Sequence, residues 1–81
     1  MYGEYFLYEE SDWELFRSKV EEWQKRSNTL VSMRKSSMFD NIFTFLTNGT
    51  ISLEDLDGFS EKLVSDLKEL LKIYNYNMNN V

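Results

Sequence analysis

Two apolar ladders, each stepping by three and four residues, run through most of this chain. The first is Trp13, Phe16, Val20, Trp23, Ser27, Leu30, and the second is Leu53, Leu56, Ser60, Leu63, Leu67, Leu70, Tyr74. That spacing lines side chains along one face of a helix. The chain contains no proline to interrupt either ladder. We therefore expect an all-α fold: a small three-helix bundle with helices at about 12–33, 38–47 and 53–74.

Local signals sharpen this. Ser11-Asp12-Trp13-Glu14 fits a capping box at the first helix start, with Tyr8 placed to staple the entry. Ser27-Asn28-Thr29 has low helix propensity, so the first helix either breaks near Asn28 or runs on toward Arg34. Ser36-Ser37 offers a second cap, and Asn48-Gly49 a stop. Met38, Phe39, Ile42, Phe43, Phe45 and Leu46 surround most of the second helix, which must be buried on more than one side. It is either sandwiched between its neighbours or shared with a second subunit. Ser52 and Asp55 form a box at the third start. Gly58 weakens that helix and Ser60 offers a fresh cap, so the segment is either a short helix at 53–58 followed by one at 61–74 or a single helix with a weak point. The ladder keeps phase from Leu56 to Ser60 to Leu63, which favours a nearly continuous element. Residues 1–10 lack a helical period and read as an extended N-terminal arm, and residues 75–81 as a frayed polar tail.

With 81 residues the chain is one domain with a thin core. Thirteen aromatics (2 Trp, 5 Tyr, 6 Phe) are many for that size. Those the core does not cover would form an exposed apolar patch, the usual mark of an interface. Trp13, Trp23, Phe39, Phe43 and Phe45 are the candidates for partner contact, although the ladder positions of Trp13 and Trp23 are most simply core and the second helix divides between core and interface.

Charge is arranged in blocks. Residues 1–16 are acidic, residues 23–39 carry Lys25, Arg26, Arg34 and Lys35 without an acid, and Glu54, Asp55 and Asp57 lie in a third, acidic block. These seven residues form the candidate charged patch. The net charge of −5 disfavours nucleic acid and anionic membrane as partners. No apolar run approaches the length of a membrane span, and residues 1–12 do not read as a secretory signal. A cytoplasmic setting is the expectation, and under it the Asn48-Gly49-Thr50 sequon has no use.

The motifs that carry chemistry are thin. The chain has no His and no Cys, which removes His-based acid–base catalysis, thiolate nucleophiles and thiolate metal sites. Ser32 with Lys35 and Ser65 with Lys68 match the S-x-x-K pattern of some hydrolases, without the elements that accompany it. Adjacent acids such as Glu21 and Glu22 point about 100° apart on a helix and do not converge. Asp55-Leu56-Asp57-Gly58 fails as a calcium loop, because it would put Leu53 and Val64 where ligands are required. The basic segment could suggest a helix-turn-helix, but the element after it, 38–47, has no basic residue and is too apolar for a DNA groove.

We expect no cofactor and no metal. The expected function is a non-enzymatic protein–protein interaction module, homodimeric through its aromatic surface. The alternative is a small acidic inhibitor, of the kind carried by a phage or mobile element, that blocks a basic site on a larger enzyme.

Overall fold

The structure, a computed structural model, describes residues 8–79. Three α-helices follow in order: α1 (Glu10–Ser27), α2 (Met38–Thr47) and α3 (Glu61–Asn79). Short 3₁₀ turns at Lys35–Ser37 and Leu53–Leu56 precede α2 and α3. The fold is the expected all-α three-helix bundle. The extended arm lies outside the described residues except for its last three, and Glu10 already belongs to α1.

Both ends of α1 differ from the sequence expectation. Glu9, in extended conformation, is the N-cap, and its N–H donates to the Asp12 carboxylate at 3.4 Å. The capping box is thus built on Glu9 and Asp12, not on Ser11 and Glu14. At the other end Asn28 takes the left-handed conformation (φ 58°, ψ 35°). Asn is among the few non-glycine residues that tolerate it, and it closes the helix as glycine would. The helix therefore stops at Ser27 and does not reach residue 33. The connector that follows is tied down twice: the Val31 N–H donates to Gln24 Oε1 at 2.9 Å, and Asn41 Nδ2 donates to the Ser32 carbonyl at 2.6 Å.

The α2 helix has the expected bounds, and Gly49 follows it with φ 84°. The Ser52–Asp55 box also forms, the Ser52 N–H donating to Asp55 Oδ2 at 2.9 Å. However, it starts only a single 3₁₀ turn. Gly58 sits at φ 99°, and a Cβ there would meet Leu15 Cδ2 at 3.1 Å. The chain bends at this close approach. Ser60 then caps a new helix, its hydroxyl accepting the Leu63 N–H at 3.4 Å. The single helix expected over 53–74 is two elements. The ladder kept its phase across the bend because Leu56 and Leu63 both reach the core, and shared burial does not require a continuous helix. Helical backbone continues past residue 74 to Asn79.

The α2 helix packs against both α1 and α3. The core is Phe16, Val20 and Trp23 from α1, Met38, Ile42 and Phe45 from α2, and Leu63 and Leu67 from α3, closed by Ile51, Leu56 and Phe59. Aromatic rings link its parts. Trp13 lies 5.9 Å from Phe16, Phe16 6.4 Å from Trp23, and Trp23 5.7 Å from Phe45. Each such pair adds about 0.5–1.5 kcal/mol beyond the area it buries.

Candidate functional site

The polar centre of the molecule joins the starts of α1 and α3. Asp12 is 1% exposed. Its Oδ1 accepts the Ser60 N–H at 2.7 Å, and its Oδ2 accepts the Ser60 hydroxyl at 2.6 Å. A buried carboxylate is tolerated when donors satisfy it, and here they come from residues 48 apart in sequence. Next to it, the Tyr8 hydroxyl donates to Asp66 Oδ2 at 2.8 Å, and the Tyr8 ring stacks on Phe39 at 5.7 Å. Lys62 lies 3.4 Å from Asp66 and 5.5 Å from the centre of the Tyr8 ring. Tyr8 thus fastens the chain entry to α2 and α3 as well as standing just before the Glu9 cap of α1. Sequence reasoning assigned Asp12 and Asp66 no such role, and no signal within a few residues of either points to it.

Burial, the bond to Asp66 and the negative charges of Asp66 and Asp12 raise the Tyr8 phenol above its ordinary value of 10.0. The fold therefore favours the neutral phenol. Its contribution to stability is complete below about pH 10 and is lost as pH rises from there through the folded-state value. Urea denaturation midpoints from about pH 8 to about pH 12 should fall more steeply for the native chain than for Tyr8→Phe. Lys62 is present in both proteins, so the difference between the two curves isolates Tyr8. Parallel curves would contradict the assignment.

The five candidate aromatics separate by burial. Trp23 and Phe45 are in the core, covered by the chain's own helices. Trp13 is half-buried against the core. Phe39 and Phe43 are also half-buried, one turn apart on α2. Phe43 makes an edge contact with Tyr74 at 5.8 Å. Leu70 and Ile73 of α3 border a shallow cleft with Phe39 and Tyr8. Ile73 is 54% and Tyr74 38% exposed. Phe39, Phe43, Leu70, Ile73 and Tyr74 thus form a half-exposed apolar face across α2 and α3. Leu70, Ile73 and Tyr74 were not among the candidates.

The charged candidates do not form one patch. Arg26 pairs with Glu22 at 2.9 Å and donates to the Thr50 carbonyl at 3.1 Å. Lys35 pairs with Glu10. Lys25 and Arg34 are exposed at the two ends of the connector. Asp55 is engaged in the Ser52 cap. Glu54 and Asp57 rim a groove at the bend before α3, with Glu61 beside them and Leu53, Phe59 and Val64 among its apolar lining.

Among the described residues, no group of three or more His, Cys, Asp or Glu side chains could hold a metal ion. No helix among them is long and apolar enough to cross a membrane. No protein-family model, no curated protein and no solved structure matches this chain.

Proposed function

We propose that this chain is a non-enzymatic protein–protein interaction module that pairs with a second copy of itself through the α2–α3 apolar face. The observation that supports this is the adjacency of Phe39, Phe43, Leu70, Ile73 and Tyr74 on two packed helices, with Ile73 more than half exposed. Aromatic side chains gathered on one face are the composition of interface centres, and two-fold pairing lets one such face cover itself. The absence of His and Cys supports a role without catalysis. The acidic-inhibitor alternative has less support, because Asp55 is committed to a cap.

Sedimentation equilibrium at micromolar concentration should give the mass of two chains. Ile73→Asp puts a charge at the centre of the face on a side chain the core does not need. We expect it to give the mass of one chain with unchanged helical circular dichroism. A one-chain mass for the native protein, or a two-chain mass for Ile73→Asp, would reject this interface.

A further inference from the structure

The connector between α1 and α2 holds a leucine out in water. Leu30 is 88% exposed, the most exposed of the large apolar side chains among the described residues. The segment around it is not loose. Backbone donation from Thr29 to the Gln24 carbonyl (3.2 Å) and from Val31 to the Gln24 side chain (2.9 Å) brackets Leu30. The Asn41 bond to Ser32 fixes the chain beyond it. Met33, also exposed, follows. Lys25 and Arg34 flank the segment, and Glu21 is the one acid near Leu30 among the residues that border its base.

The groove at the bend before α3 has the opposite character. Leu53, Leu56, Phe59 and Val64 give it an apolar lining. Glu54, Asp57 and Glu61 supply three acids against the single cation Lys68. Its volume of about 660 Å³ is ample for one leucine side chain. An apolar knob with basic flanks and an apolar groove with acidic flanks, carried by one chain, are complementary in both shape and charge.

They do not meet within one molecule. The groove lies beside Leu15, which packs at Gly58 near the start of α1, whereas Leu30 lies beyond its end. Thirteen residues of helix separate Leu15 from Asn28, about 20 Å at 1.5 Å per residue. At 100° per residue, Leu15 and Gln24, whose side chain holds the connector, fall on opposite flanks of the buried stripe of Phe16, Val20 and Trp23. We propose that Leu30 of one copy seats in the Leu53–Phe59–Val64 groove of a second copy, with Lys25 and Arg34 against Glu54, Asp57 and Glu61. This contact goes beyond the α2–α3 pairing and uses none of its residues. Because knob and groove lie at opposite ends and flanks of α1, it joins copies head to tail. It is small, so it forms at higher concentration than the two-fold pair and weakens with salt.

Complementation between two broken chains tests it. Both carry Ile73→Asp, so the α2–α3 face contributes nothing. One also carries Leu30→Asp, which destroys the knob and keeps the groove. The other carries Glu54→Lys and Asp57→Lys, which reverse the groove and keep the knob. All four positions are exposed, and helical circular dichroism checks that each chain folds. Each chain alone should sediment as one chain into the high micromolar range. An equimolar mixture should reach the mass of two. Nitrogen-15-labelled Leu30→Asp chain, titrated with the unlabelled partner, should shift its amide signals at Leu53, Phe59 and Val64, and 0.5 M salt should weaken binding by about tenfold. A mixture that stays at one-chain mass, shifts centred elsewhere, or equal binding by a partner that also carries Leu30→Asp would each overturn the proposal. The α2–α3 reading stands or falls separately, on Ile73→Asp alone.

Discussion

Phe45→Ala should cost about 4 kcal/mol and leave the chain barely folded at room temperature. Phe45 has no exposed surface and meets Trp23 edge-on at 5.7 Å, where α1 and α2 pack together. Truncating it loses the transfer free energy of the ring and opens a cavity between two helices that the remaining contacts hold apart. A domain of this length has a total stability of about 4–12 kcal/mol, so the loss is a large share of the whole. Thermal denaturation followed at 222 nm should show the midpoint falling by about 16–32 °C, at roughly 4–8 °C per kcal/mol. The same result separates two readings of this residue. A contact residue at an interface would lose binding and keep its melting point. A core residue loses its melting point first. A midpoint within a few degrees of native would show that Phe45 is not where the structure places it.

Asp12→Ala should cost about 3 kcal/mol, an unusual figure for an acidic residue near a helix start. An ordinary N-terminal cap is worth about 1 kcal/mol. Asp12 does more, because its two oxygens take the Ser60 N–H and hydroxyl as well as the Glu9 N–H. Removing the carboxylate strips these three donors of their acceptor, and a buried donor left without one costs about 1–3 kcal/mol. Asp12→Asn keeps one carbonyl acceptor and should fall between native and Asp12→Ala. A double-mutant cycle with Ser60→Ala measures the link directly. Urea denaturation of the four proteins should give a coupling energy of at least about 1 kcal/mol. Additive losses would mean that Asp12 acts on α1 alone.

Asp12 also illustrates what the chain reveals when read in order. Its place in the first turn of a helix is legible, and an acid there has a sufficient local explanation in the helix dipole. Its partner Ser60 is equally legible as a cap. Nothing local says that the two share hydrogen bonds. The same holds for Tyr8, whose neighbours in sequence suggest only a local staple and whose contacts with Phe39 and Asp66 lie far along the chain. The candidate aromatics divide for a related reason. Phe39, Phe43 and Phe45 are similar residues on one helix, and α2 is apolar around most of its circumference. Only the positions of α1 and α3 decide that Phe45 is covered while Phe39 and Phe43 are half-covered.

The three helices, the Ser52–Asp55 box and the bounds of α2 follow from the sequence by itself. Helix periodicity and capping are settled by residues within four positions of each other, and those are present in any stretch of the chain. Three features were decided only by the tertiary structure. The chain bends at Gly58 because its backbone comes close to Leu15, more than forty positions away. Asp12 meets Ser60 because the starts of α1 and α3 are packed together. Leu30, on a rung of the first ladder, stands in water because Asn28 ends the helix before it and bonds from Gln24 and Asn41 direct the connector outward. Each depends on which distant segments become neighbours. Burial and cross-chain hydrogen bonding set that choice, and the spacing of residues along the chain does not carry it.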